Sequence, residues 1–416
     1  MRQWMVAAKK ADFYAIAEKF HVDPVVARII RNREVIGEKN IRIYLGGNLS
    51  DLSDPHQMKD MDRLVEILAQ KIRKQVHIRI IGDYDVDGVT SSHLFLTALR
   101  RVGAKVDVVI PHRIQDGYGL SLHLLQQAKE DGVDTILTCD NGIAAIDEIA
   151  WAKAQKMTVL VTDHHAVPFE EHEGRRTEKK SLADAVVNPH QQDCGYPYKE
   201  LCGAGVAWNV IRVLYENYDM DKREAEDLLD FVAMATVCDV MSLTGENRIL
   251  VKEGLKRIRH TKNIGLQALM QACNVQPENI SAYHFGYVLG PCVNATGRLD
   301  TARHALRLFE TGQETEAEEI ARDLVDLNQE RKELTLQGVE MAKKLCEEGG
   351  YENDPVLVLF LPDVHESIAG LIAGRIREMY NRPVFVLTRG EEGVKGSGRS
   401  TENYSMYENM CGCAEL

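Results

Sequence analysis

Between residue 78 and about residue 190, short apolar runs without internal alternation are separated by longer stretches with helical periodicity. The runs IRII (78–81), VDVVI (106–110), DTILTC (134–139), MTVLVT (157–162) and ADAVV (183–187) each stop at a polar cluster: GDYDVDG, PHRIQDGYG, DNG, DHH and NPH. LFLTALRRVG closing on Gly103, LHLLQQAKEDG closing on Gly132 and AAIDEIAWAKAQK fill three of the intervals as helices. Strands that do not alternate polar with apolar are covered on both faces, so the pattern predicts an α/β fold: a parallel sheet with helices on both faces. Ligands of such sheets bind beyond the carboxyl ends of the strands, which is where all these polar clusters fall.

Elsewhere the pattern differs. FEEHEGRRTEKKS (169–181) reads as a charged, solvated loop. Residues 203–340 read as mostly helical, with GVAWNVIRVLYENY, EAEDLLDFVAMATVCDV and GLKRIRHT among the segments. From about Glu314 to Glu348 little apolar surface is available, which predicts a long helix bridging two units rather than a core element. DPVLVLFLP (354–362) and PVFVLT (383–388) then flank IAGLIAGRIREMY, a second strand-helix-strand unit. The expected organisation is an N-terminal helical segment over 1–75 packed on a main domain over 76–312, a connecting helix over 313–350, and a second α/β domain over 351–416.

A chain of 416 residues exceeds one ordinary core, which agrees with more than one unit. It holds no apolar run of about 18 residues to span a bilayer, and MRQWMVAAKKADFYAIAEKF lacks the apolar region of a secretory signal. A cytoplasmic address without membrane contact is therefore expected. Nine cysteines with no C-x-x-C pair predict reduced thiols rather than a zinc ribbon or a disulfide framework. A net charge of -13 argues against coating nucleic acid through overall positive charge. It leaves room for a local basic groove, and it fits carboxylates gathered around divalent cations.

The first polar cluster sets Asp83, Asp85 and Asp87 on alternate residues before Gly88, as a calcium loop does. That loop needs a glutamate at its twelfth position, here Leu94, and it follows a helix rather than a strand. Three carboxylates at a strand end still demand a cation or basic neighbours. Asp140 and the triplet Asp163-His164-His165 close neighbouring runs, and Asp239 ends an apolar helix, a placement unfavourable to the helix dipole unless a cation is near. Aspartate and histidine without cysteine suit manganese, magnesium or iron better than structural zinc. Adjacent histidines diverge, so one can bind metal while the other faces a substrate. Cys139 and Cys238, each just before a candidate ligand, are expected to be small buried packers.

Taken in order, GDYDVDG, CDNG, TDHH and ATVCDV resemble the motifs of the DHH phosphoesterases, and most nearly those of the RecJ single-strand-specific exonucleases. PHRIQDGYGL, GPCVNATGRLD, LNQER, HESIAGLIAGRI and KGSGRS extend the resemblance from about residue 20 to the end. It implies a phosphodiester hydrolase using two Mn2+ or Mg2+ ions, which activate water and steady the attacking and leaving oxygens. Asp83, Asp85, Asp87, Asp140, His164 and Asp239 would be metal ligands, with Asp140 bridging. His165 would face the scissile phosphate, in a catalytic set with Asp140 and Asp163. Arg113, Arg298, Ser397 and Arg399 would bind the terminal 5'-phosphate and nearby backbone, and Tyr118 is a weaker candidate for base stacking.

The implied reaction is 5'-to-3' release of 5'-mononucleotides from single-stranded DNA in repair and recombination. The enzyme would be a monomer, with a helicase or single-strand-binding protein as candidate partner. One alternative is a phosphodiesterase of short oligonucleotides or cyclic dinucleotides, although Ile81 stands where those enzymes typically have histidine. Another is a non-catalytic DNA-binding scaffold, against which the full set of ligands counts. The chain departs from the RecJ pattern at Cys292, where arginine is usual, and at Glu366 and Ser367, where proline and glycine are usual. The second domain is expected to be incomplete at Leu416, short of the family's GGH segment and oligonucleotide-binding domain.

Overall fold

The computed structural model describes residues 9–113, 116–117, 119–172, 175–390 and 393–413. Four helices come first: α1 (Phe13–Phe20), α2 (Pro24–Asn32), α3 (Glu38–Gly46) and α4 (Met61–Arg73). The sheet region follows as β1 (Ile78–Ile81), α5 (Val86–Arg101), β2 (Val106–Val109), α6 (Leu122–Glu130), β3 (Thr135–Cys139), α7 (Ile146–Ala154) and β4 (Thr158–Thr162). A hairpin, β5 (Phe169–His172) and β6 (Arg175–Glu178), precedes the last strand of the sheet, β7 (Ala185–Val187).

The five-stranded sheet is parallel, in the order β2-β1-β3-β4-β7. Period-two alternation sends its side chains into two cores. Ile80, Leu137 and Leu160 join the core formed with α4, α5 and helices further along the chain. Ile81, Ile136, Val159 and Val161 join a second core with Leu124 and Leu125 of α6 and Ile149 of α7. Both faces are thus covered, which is why the strands read as continuous apolar runs. The order also makes β1, β3 and β4 neighbours, so the loops after them emerge side by side.

The helical region comprises α8 (Gly203–Asn217), α9 (Lys222–Glu226), α10 (Leu229–Cys238), α11 (Gly245–Arg257), α12 (Ile264–Ala272) and α13 (Ala282–His284). A π-helical turn over Phe285–Leu289 leads into α14 (Gly290–Leu299), followed by α15 (Ala302–Glu310). The N-terminal segment docks here: Arg248 stacks over the Tyr44 ring at 3.8 Å, and Lys252 donates to the Gly47 carbonyl at 3.2 Å.

The 36-residue α16 (Glu314–Gly349) leads to β8 (Leu357–Phe360), α17 (Ala369–Tyr380), β9 (Val384–Gly390), β10 (Gly393–Arg399) and α18 (Met406–Cys411). β8 and β9 are parallel and β10 runs antiparallel to β9.

Two expectations need correction, and one strand, β10, is not predicted by the sequence pattern. The charged stretch after β4 is a hairpin, with Phe169 opposite Glu178 and His172 opposite Arg175. Cross-strand contacts hold it, including Arg176 over the Phe169 ring at 4.5 Å and Lys179 to Glu170 at 3.2 Å, and these leave no apolar alternation to read. β10 is a strand despite its glycines. Finally, α16 is more than a bridge: Ala317, Ile320, Ala321 and Leu324 enter the first core, and Val339, Ala342 and Cys346 enter the core of the second sheet. A narrow stripe, built partly of alanines, suffices to anchor the helix in both cores. Among the described residues no helix is long and apolar enough to cross a membrane.

Candidate metal centre and adjoining basic cleft

Close packing shapes the turn after β1. A Cβ on Gly82 would lie 2.0 Å from Ser92 Oγ, and one on Gly88 would lie 2.4 Å from the Asp83 carbonyl oxygen, so both positions need glycine for the approach of the chain to itself. Asp85 caps α5, accepting the Gly88 N–H at 3.0 Å. Asp87, in the first turn of α5, accepts the N–H groups of Gly203 at 2.5 Å and Ala204 at 2.8 Å. The positive ends of α5 and α8 therefore converge on one buried carboxylate. Asn294 of α14 accepts the Val86 N–H at 3.1 Å, tying the start of α5 to the helical region.

Asp140, directly after β3, has a left-handed backbone with φ of 62°, which aspartate tolerates better than most residues. Its side chain lies against Gly203, where a Cβ would come within 2.6 Å of Asp140 Cβ. After β4, buried Asp163 accepts the N–H groups of Ile143, His164 and His165 at 2.9, 2.7 and 3.0 Å, and His165 Nδ1 lies 2.8 Å away. His164 Nε2 stands 3.0 Å from Asp140 Oδ1, 3.6 Å from Asp239 Oδ2 and 3.7 Å from Asp87 Oδ2. Asp239 is the C-cap of α10. Among the described residues, three groups have ligand atoms within 4.8 Å of one another: Asp83 with Asp85 and Asp140; Asp87 with His164 and Asp239; and Asp140 with His164 and His165.

This density of carboxylates conflicts with ionisation. Burial, then the charge of Asp85, pushes Asp83 up to about 8. Asp239 also rises to about 8, through burial and then Asp87 and Asp85. Burial first, then the neighbouring aspartates, raises Asp85 and lifts Asp140 well above the ordinary range. Asp163 goes the other way, because four hydrogen bonds and the His165 charge outweigh its burial. His165 is carried up to about 9: burial opposes its charge, but the hydrogen bond and charge of Asp163 prevail.

Among the described residues, both Asp83 carboxylate oxygens are buried without a hydrogen bond, and buried Asp140 Oδ1 and His164 Nε2, although 3.0 Å apart, make no hydrogen bond to each other or to another group. An orphaned buried polar atom costs about 1–3 kcal/mol, and more if charged. Acceptors converging on acceptors in this way fit divalent cations, and an all-oxygen and imidazole donor set suits manganese or magnesium. The neighbouring thiols do not join it. Burial pushes Cys139 up to about 12 and raises Cys238 as well, and Cys238 Sγ contacts the Phe285 carbonyl at 3.3 Å.

Beside the cluster lies a cleft of about 260 Å³ lined by Tyr84, Arg113, Arg298, Ser397 and Arg399. The Arg113 guanidinium lies over the Tyr84 ring, 4.8 Å from its centre. Arg298 donates to the Ser367 carbonyl at 2.7 Å, and burial, then Arg113, pulls it down to about 10. Arg399 donates to the Gly398 carbonyl at 2.8 Å and to Ser397 Oγ at 3.3 Å. Gly370 admits these groups: a Cβ there would lie 2.7 Å from Ser397 Oγ and 2.8 Å from an Arg399 nitrogen. A larger cavity, about 940 Å³, is lined by residues including Arg100 and Asp230 and by none of the clustered ligand atoms.

Residues 77–236 match the pattern of the DHH family, N-terminal domain. The single-stranded-DNA-specific exonuclease RecJ of Haemophilus influenzae is 36% identical over 399 residues, covering 92% of this chain and 67% of that protein. The chain belongs to the DHH family, as a relative of RecJ. RecJ of Bacillus subtilis is 32% identical, covering 97% of this chain and 49% of its own length, so the chain spans from about half to about two thirds of these relatives. A crystal structure of exonuclease RecJ bound to manganese superposes with a TM-score of 0.73 at 32% identity, covering 85% of each chain. RecJ of Thermus thermophilus in complex with Mn2+ gives 0.77 at 29% identity, covering 97% of this chain and 56% of that one.

In this DHH protein the fold gathers Asp83, Asp85, Asp87, Asp140, Asp163, His164, His165 and Asp239 at one end of the sheet. Arg113, Arg298, Ser397 and Arg399 share the neighbouring cleft, while Tyr118 lies outside the described residues. Sequence reasoning missed the N–H groups of Gly203 and Ala204, and it missed the salt bridge of Lys395 to Glu366 at 3.0 Å in the cleft wall. Glycines at a helix start were the available signal for the first pair. The second pair had none.

Proposed function

We propose that the chain hydrolyses single-stranded DNA from its 5' end, releasing 5'-mononucleotides. The observation that carries this is the position of Tyr84. It stands between Asp83 and Asp85 in the acid cluster and lies beneath Arg113 in the basic cleft. A strand end held by the arginines would thus have its first phosphodiester next to the carboxylates. Relatives named as single-stranded-DNA-specific exonucleases, and RecJ structures holding Mn2+ or Mg2+, support the same reading.

Asp83, Asp85, Asp87, Asp140, His164 and Asp239 would hold two divalent ions. Such ions supply Lewis acidity, lower the pKa of water and neutralise phosphate charge. The protein's own residues supply placement. The N–H groups at the start of α8 fix Asp87, and Gly203 leaves room for Asp140. Asp163 holds His165 through Nδ1, so the partly exposed imidazole presents its other edge to a phosphate oxygen. Arg298 and Arg399 offer planar forks to a terminal phosphate, with Ser397 beside them.

The test uses the purified chain with Mn2+ and a 3'-labelled, 5'-phosphorylated single-stranded 30-mer, beside the duplex and a dinucleotide. Stepwise loss of 5'-mononucleotides from the single strand is the expected result. No release, or a dinucleotide cleaved faster than the 30-mer, would overturn the reading.

A further inference from the structure

Two cysteines outside the metal centre are placed for chemistry that the hydrolytic reaction does not use. Cys273 is the C-cap of α12, and Cys292 sits in the first turn of α14. Their sulfurs are 3.8 Å apart. Cys292 is 2% exposed, whereas Cys273 is partly exposed and so reachable by a small oxidant. Asn328 of α16 donates to Cys292 Sγ at 3.4 Å, and that sulfur lies 3.2 Å from the Val288 carbonyl.

We propose that Cys273 and Cys292 are an oxidation site: a dithiol that hydrogen peroxide converts reversibly to an intramolecular disulfide. One thiolate attacks the peroxide, giving a sulfenic acid and releasing one water after protonation. The second sulfur attacks the sulfenic sulfur, forming the S–S bond and releasing a second water. Two thiols thus lose two electrons and two protons, and one peroxide becomes two waters. Dithiothreitol reverses the reaction by thiol–disulfide exchange.

The surroundings favour this pair. Cys292 is held below the ordinary thiol range, first by the hydrogen bond with Cys273 and, against its burial, by the Asn328 donor and the charges of Lys332 and Arg331. The same hydrogen bond, with burial, raises Cys273, so the pair shares one proton, and peroxide that enters past the partly exposed Cys273 meets the Cys292 thiolate 3.8 Å from it. An S–S bond of about 2.05 Å requires the sulfurs to close by about 1.8 Å from their 3.8 Å separation. Rotation of the two side chains closes part of this gap, and a shift of the α12 end or of the first turn of α14 closes the rest. The same helix carries Asn294, which holds the start of α5, and Arg298 of the basic cleft. A shift of α14 on oxidation is carried through these residues to the start of α5 and to the basic cleft.

The test treats the whole chain with hydrogen peroxide, alkylates the remaining thiols and maps the unreduced digest by mass spectrometry. A Cys273–Cys292 cross-linked peptide is expected, with two thiols lost and both restored by dithiothreitol. Cys273→Ser, and separately Cys273→Ala, should form no cross-link. Full alkylation at both positions in protein that shows methionine oxidation elsewhere would overturn the proposal. So would sulfinic acid at Cys292 without the cross-link. The coupling to the cleft rests on the exonuclease reading and has its own readout: mononucleotide release should fall at least about threefold on cross-linking and recover on reduction. A cross-linked chain with an unchanged rate would overturn the coupling, whereas a chain inactive before oxidation would instead indict the exonuclease reading.

Discussion

Gly203→Ala adds one methyl group at the point where two proposed ligands are positioned. The new Cβ would lie 2.6 Å from Asp140 Cβ and 2.8 Å from Asp140 Oδ1. Carbon atoms in contact prefer about 3.5–4.0 Å, so the 2.6 Å gap must widen by about 1 Å. A metal centre tolerates roughly 0.2 Å in its ligand distances, so the required displacement exceeds that tolerance several-fold. The movement cannot be confined to Asp140, because the Gly203 N–H also holds Asp87 at 2.5 Å. Overpacking of this kind costs about 1–3 kcal/mol of stability, and disturbing the groups that orient ligands typically costs 10–100-fold in metal affinity or activity. The assay is Mn2+ titration by isothermal calorimetry, with the melting temperature of the metal-free protein as control. Native Mn2+ affinity, within about twofold, in a folded Gly203→Ala protein would refute the idea that this contact sets the centre's geometry.

Three further outcomes are expected. In the metal-free protein, Asp83 and Asp239 titrate at about 8, whereas they titrate near 4 when unfolded, so the folded state holds extra protons between those values. The stability they contribute is complete below about pH 4 and declines as pH rises towards 8; Mn2+ displaces those protons, so it should raise the melting temperature more at pH 8 than at pH 6. An equal rise at both would contradict this. Asp163→Asn replaces an acceptor of four N–H groups by an amide that cannot accept them all; His165 should then titrate well below its raised value of about 9, followed by imidazole NMR in metal-free protein, and an unmoved titration would count against the contact. Arg399→Ala removes a proposed charge-assisted phosphate contact, which would be worth about 1.5–3 kcal/mol and predicts a KM roughly 10–150-fold higher for a 5'-phosphorylated oligonucleotide; an equal loss on a 5'-hydroxyl substrate would point to a structural role.

Much of the centre was legible because strands buried on both faces have a plain signature. Once IRII, TILTC and TVLVT are read as such strands, the residues after them must share a sheet edge, and Asp83, Asp140 and His164 come together. What escaped reading depends on backbone rather than side-chain identity. The donors to Asp87 are backbone N–H groups 116 and 117 positions away, which no side-chain pattern announces. The hairpin after β4 has no apolar face to show, and β10 is a strand because β9 offers it an edge, not because KGSGR favours extension. The apolar stripe of α16 is narrow and built partly of alanines, so its share in two cores becomes visible only in the packing.

The central claim is that the buried carboxylates and His164 form one centre for two ions. Equilibrium dialysis against Mn2+ near pH 8, with the metal counted per chain, tests it most directly. The account predicts two ions per native chain and a loss of tight binding at both sites in Asp140→Ala, since Asp140 belongs to more than one of the ligand groups. One ion or none in the native chain, or two ions still bound by Asp140→Ala, would contradict it.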